Sequence, residues 1–128
     1  MDDIRTDATG RIVDPSGVDG TITGLIGYGF RDNVNGLELQ QWERESFTAE
    51  ITNLLLGLGA TVLFVGAGQG IWEGVREPAG SVTFTLPVDE PYTVWRIGLL
   101  IGLKVLARKY NQDSIALTFG ETTLVESY

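Results

Sequence analysis

Two stretches of this chain repeat their apolar side chains every three or four residues. From residue 37 onward, Leu39, Trp42, Phe47, Ile51, Leu54, Leu55 and Leu58 fall at that spacing, with Glu38, Glu43, Arg44, Glu45 and Glu50 mainly between them. Tyr92, Trp95, Leu99, Leu103, Leu106 and Tyr110 mark a second stripe. A stripe of this period is what an amphipathic helix with one face on a core requires. The punctuation agrees. Asn33 or Asn35 is available as a cap before the first helix, and Gly57 and Gly59 stop it. Asp89-Glu90-Pro91 opens the second, and Arg108-Lys109 suits the negative end of its dipole.

The other apolar runs read as strands: "GTITGLIGYGF" (20–30), "TVLFV" (61–65), "SVTFTL" (81–86) and "SIALTFG" (114–120), with "TTLVES" (122–127) as an extra C-terminal edge strand. The order is β-α-β-β-α-β. It predicts an α+β, ferredoxin-like sandwich, an antiparallel sheet with two helices on one face. Residues 18–128 form this single domain, and residues 1–17, with the turn sequence Asp14-Pro15-Ser16-Gly17, are expected to be a flexible tail. Val62, Phe64, Val82, Phe84, Ile115 and Leu117 are too many to face two helices at once. Their excess predicts a homo-oligomer that hides the second face of the sheet.

Neither cysteine nor histidine occurs in the 128 residues. Disulfides, thiolate chemistry, structural zinc and imidazole catalysis are therefore excluded. No Asp/Glu group has the spacing of a calcium loop, so neither a metal nor a cofactor is expected. A net charge of −8 with scattered Lys and Arg argues against nucleic acid and favours a cationic or neutral ligand. Residues 51–72 carry no charge and are long enough to cross a bilayer. Five glycines interrupt them, and the helical period gives way near Gly59-Ala60, so they read as a helix end followed by a buried strand. The N-terminus lacks the apolar core of a secretory signal, and a cytoplasmic protein with no membrane partner is expected.

Gly66-Ala67-Gly68-Gln69-Gly70 follows a strand, as a dinucleotide-binding loop does. The third glycine of that fingerprint falls on Ile71, and "IWEGVREP" has no helical period to bring a helix N-terminus to a pyrophosphate. The better reading is a strand that continues from Thr61 to about Val75 and pairs with Ser81–Leu86 across the turn "REPAG". Gly66, Gly68 and Gly70 then mark a bulge, or a place where a ligand or another backbone comes close.

Two short motifs carry a resemblance. Gly70, Trp72, Gly74 and Glu77 lie in one, and Tyr110, Gln112, Asp113 and Ser114 in the other. Together they look like motifs of small ferredoxin-like phage and bacterial proteins that include the phage S-adenosylmethionine lyases, long called SAM hydrolases. Trp72 stands where tyrosine is common in that group, and Pro78 where serine is. The resemblance implies a homotrimer that takes a small cationic or nucleotide-like ligand between subunits. It implies cleavage of S-adenosylmethionine to methylthioadenosine and homoserine lactone, with the substrate's own carboxylate as nucleophile. Glu77 would be the catalytic residue, and Gly66, Gly68, Gly70, Trp72, Tyr110 and Gln112 would contact the substrate. The other reading keeps these residues structural: Glu77 paired with Arg76 or Arg31, Trp72 in the core, and Gln112-Asp113 at a helix end. The protein is then a non-catalytic interaction or ligand-sequestering protein, such as a phage-encoded inhibitor.

Overall fold

In the computed structural model, residues 5–6, 12–13, 21–72, 74–87 and 92–127 are described. The elements in chain order are β1 (Arg5–Thr6), β2 (Ile12–Val13), β3 (Thr21–Gly29), β4 (Arg31–Asp32), β5 (Leu37–Glu38), α1 (Gln41–Gly57), β6 (Thr61–Trp72), β7 (Val75–Pro87), α2 (Tyr92–Lys109), β8 (Ser114–Phe119) and β9 (Glu121–Glu126). Five of the strands form one antiparallel sheet in the order β6-β7-β3-β8-β9, while β1–β2 and β4–β5 are separate two-stranded ribbons. The tail expected over residues 1–17 lies, apart from β1 and β2, outside the described residues, as does the expected helix start at 89–91.

Period-two patterning decides which face of the sheet is covered. Ile22, Ile26 and Tyr28 of β3, Val82, Phe84 and Leu86 of β7, and Ile115 and Leu117 of β8 are buried, and all belong to one core cluster. Phe47, Ile51 and Leu55 of α1 and Trp95, Leu99, Leu103 and Leu106 of α2 complete that cluster from the helices. The α+β class and the pair of helices on an antiparallel sheet agree with the sequence reading. The strand order differs from the bare four-stranded ferredoxin-like arrangement, because β9 adds a fifth member outside β8.

Three local expectations are corrected. The first helix begins at Gln41 rather than near Leu37, because residues 31–38 fold back as the β4–β5 ribbon. Asn33 and Asn35 belong to that ribbon's turn, and the Gln40 amide donates instead to Glu43 Oε1 at 3.0 Å. Trp42 consequently sits on the wet side of the first turn, 66% exposed. The β6–β7 turn is not "REPAG". Trp72 pairs with Val75, and Gly74 takes the left-handed φ of 80° that so tight a hairpin needs.

Arg76 to Gly80 are therefore strand, Pro78 included. Proline is tolerated there for an identifiable reason. The Pro78 carbonyl accepts the Phe30 amide at 3.0 Å, while the Phe30 carbonyl is already taken by the Leu39 amide at 2.7 Å. No donor is missed at position 78. The third correction concerns strand parity. A bulge between Val62 and Phe64 leaves Val62 against the core and turns Phe64 outward, so only Phe64 of the six apolar residues faces away from the helices. Among the described residues no helix is long and apolar enough to cross a membrane: the uncharged segment 51–72 divides into the end of α1 and all of β6.

Candidate functional site

The uncovered face of the sheet is paved with small residues. Gly66, Ser81, Gly27 and Ala116 lie opposite one another across β6, β7, β3 and β8. Gly68, Ala79 and Gly29 make the next row, and Gly70 pairs with Glu77 beyond it. With so little side-chain volume, this part of the face sinks between taller neighbours. A cavity of about 720 Å³ lies over it, within the range of small-molecule sites. Phe64 on β6 and Leu124 on β9 also line it.

Most of the polar groups, Ser81 and Thr122 apart, gather toward one end. Asn33 comes from the β4–β5 turn, Gln112, Asp113 and Ser114 from the α2–β8 turn and the start of β8, and Gln69 and Glu77 from the β6–β7 hairpin. Glu77 and Asp113 are the charged side chains of the lining, and no Lys or Arg is among its described residues. The charge carried by the described lining is therefore negative, which suits a cation. Among the described residues no group of acidic side chains could hold a metal ion.

Five of the seven residues singled out from the sequence meet here: Gly66, Gly68, Gly70, Glu77 and Gln112. The Gln112 side chain is largely committed to the backbone. Its Nε2 donates to Arg31 O at 2.7 Å and to Tyr110 O at 3.0 Å, and its Oε1 lies against Gly29, where a Cβ would come within 3.0 Å. Trp72 is placed by its backbone at the tip of the hairpin, and its side chain lies outside what is described. Tyr110 is not part of the cavity. Its ring stacks on Phe47 with centroids 4.2 Å apart, and its hydroxyl donates to Glu50, on the helical side. The apolar stripe of α2 already places Tyr110 on the core face, and the structure follows the stripe and not the motif.

The residues that sequence reading missed are Gly27, Gly29, Ala79, Ser81 and Asn33. A signal for the first four existed. They are the small residues at the open-face parity of β3 and β7, a pattern that shows only once the register is known.

No protein-family model and no curated protein sequence matches the chain. Solved structures do. A phage SAM lyase in its apo state matches with a TM-score of 0.54 and 15% identity, covering 85% of this chain and 92% of that one. A phage SAM lyase in complex with S-methyl-5'-thioadenosine matches with a TM-score of 0.50 and 12% identity, covering 84% of this chain and 90% of that one. The chain has the fold of the phage SAM lyases. At this identity the likeness is one of architecture, and the cavity has to be argued from its own residues.

The helical side of this SAM-lyase-like fold holds a polar cluster with a testable pH signature. Lys109 Nζ meets Glu50 Oε1 at 2.6 Å, the Tyr110 hydroxyl also donates to Glu50, and Ser46 Oγ lies 2.8 Å from that hydroxyl. Burial first, and then the Glu50 carboxylate, push the Tyr110 hydroxyl above its ordinary value. Burial does the same to Tyr28, against the opposing hydrogen bond to Thr48. A tyrosine with a raised folded pKa is held neutral by the fold. The unfolded chain then loses its proton first, near pH ~10, and stability falls as pH climbs above that point. The melting temperature is expected to decline above about pH 10, with a shallower decline in Tyr110→Phe. Thermal denaturation between pH 8 and pH 11 reads this out, and identical slopes in the two proteins would remove Tyr110 from the account.

Proposed function

We propose that the protein binds S-adenosylmethionine over the open face of its sheet and cleaves it to methylthioadenosine and homoserine lactone. The observation that carries this reading is the cavity itself. It has room for a nucleoside and a bare backbone floor for a flat base, and its described charged side chains are carboxylates alone. The fold shared with phage SAM lyases supports the same assignment.

The chemistry asks little of side chains. An oxygen of the substrate's own carboxylate attacks Cγ, the Cγ–S bond breaks, and its electron pair passes to sulfur, which becomes a neutral thioether. No proton moves. Neither histidine nor cysteine is needed, and the chain has neither. The protein must hold the methionine part folded so that carboxylate and Cγ meet, an effect worth roughly 7–11 kcal/mol when the geometry is right.

Charge is annihilated between carboxylate and sulfonium as the transition state forms, so an anion tight against the sulfur would oppose the reaction. The substrate's α-ammonium keeps its charge throughout. Glu77 is therefore assigned to the ammonium, where it orients the chain without penalising the sulfur. The floor at Gly66, Gly68 and Gly70 receives the adenine, with Trp72 at the hairpin tip as its stacking partner.

We read the sheet as a ferredoxin-like sandwich extended by β9, and the working form as a cytoplasmic homotrimer with the cavity between subunits. Exposed Leu25, Phe64 and Leu124 on the open face, with Leu63 at the bulge, support such an interface. Incubation with S-adenosylmethionine, followed by chromatography, should yield methylthioadenosine and homoserine lactone in equal amounts. A thermal shift without product would leave a ligand-sequestering protein, and neither product nor shift would overturn the reading.

A further inference from the structure

Helix α2 ends in a left-handed stop that does more than end a helix. Asn111 has φ 53°, its amide donates to Arg108 O at 3.2 Å, and the Gln112 amide donates to Ala107 O at 2.8 Å. These are the two reversed hydrogen bonds of a Schellman stop, where glycine is the unstrained residue. The asparagine puts its side chain to use: Nδ2 donates to Asp32 Oδ2 at 3.0 Å. A backbone bond runs alongside, from the Asn33 amide to Asn111 O at 2.8 Å.

Asp32 in turn organises the tip of the β4–β5 ribbon. Its Oδ1 accepts the Val34 and Asn35 amides, both at 2.9 Å, and its Oδ2 accepts Asn35 Nδ2 at 2.9 Å. Asn111 foremost, and then the Asn35 amide, hold this carboxyl below its ordinary value, so it is ionised across the working pH range. Neither Asp32 nor Asn111 lines the cavity, but their neighbours do, Asn33 from the ribbon and Gln112 and Asp113 from the turn.

We infer that Asn111 and Asp32 are positioning residues, whose side-chain brace holds the Asn33 wall of the cavity against its Gln112–Asp113 wall. A supporting shell of this kind fixes a binding site to within a few tenths of an ångström. The consequence for ligand affinity rests on the proposed S-adenosylmethionine site; the brace itself does not.

Asn111→Gly separates the two roles. Glycine serves a left-handed stop at least as well, so a residue that only ended the helix could be replaced without loss. The variant is expected to melt within about 2 °C of the parent, since the lost bond is offset by relief of the left-handed strain. Its amides at 33–36 should exchange with solvent about tenfold faster, and its Kd for S-adenosylmethionine should rise about fivefold or more. Unchanged exchange at 33–36 overturns the brace. Faster exchange with an unchanged Kd overturns the positioning role. If the parent binds no S-adenosylmethionine, the functional reading fails by itself, and the exchange measurement alone decides whether the two walls are braced.

Discussion

Glu77→Gln should lower the cleavage of S-adenosylmethionine about a hundredfold or more and leave the melting temperature almost unchanged. The side chains have the same shape, so the substitution removes the charge and exchanges one acceptor oxygen for an amide donor without changing the packing. Glu77 is half-buried on β7, opposite Gly70, in the part of the hairpin that runs past the end of β3. It belongs to no part of the core cluster, and its loss opens no void there. A neutral amide can still accept a hydrogen bond from the ammonium, but it no longer draws a cation into the negative end of the cavity. Charge-assisted hydrogen bonds are roughly twice as strong as neutral ones. The larger loss is geometric, because a loosely held ammonium lets the methionine chain leave its folded, reactive shape. Single-turnover rates measured across substrate concentrations separate the outcomes. A weakened half-saturation with an unchanged maximal rate would place Glu77 in binding alone, and full activity would exclude it from the site.

Much of the architecture was legible because period decides it. The two helical stripes and the strand runs needed only the count from one apolar residue to the next. The glycines of β6 were legible as a candidate site for a related reason: a glycine at every second strand position leaves one face bare. Glu77 was legible only through the motif that resembles one of the phage SAM lyases. What stayed hidden depended on long-range register. The bulge at Leu63 inverts the parity of β6 and cannot be read from "TVLFV" itself. Gly27, Gly29, Ala79 and Ser81 become a floor only when β3 is paired with β7 residue by residue. Tyr110 misled for the opposite reason. A motif set it beside Gln112, but the residues differ by two around a helix end, and the left-handed turn at Asn111 sends one into the core and the other toward the sheet's open face.

Gly68→Val should abolish ligand binding, raising the Kd for S-adenosylmethionine at least about a hundredfold, while the fold is kept or slightly strengthened. Gly68 is in ordinary extended backbone, outside the positive-φ glycines, and a Cβ built on it meets nothing within 4 Å. Valine is favoured in strands where glycine is not, so the protein itself has no reason to object. The ligand does. The isopropyl group would stand on the floor of the cavity, in the space a flat ring needs to lie on the β6 backbone. The neighbouring glycines give less clean tests. At Gly66 a Cβ would come within 2.7 Å of the Phe64 ring, and at Gly70 within 3.3 Å of Ala79, so a substitution there disturbs the protein along with the site. Calorimetric titration and thermal melting on the same sample answer the question together. Binding that survives an intact Gly68→Val fold would mean that the glycines of β6 serve the strand and not a ligand, and the site would have to be sought elsewhere on the molecule.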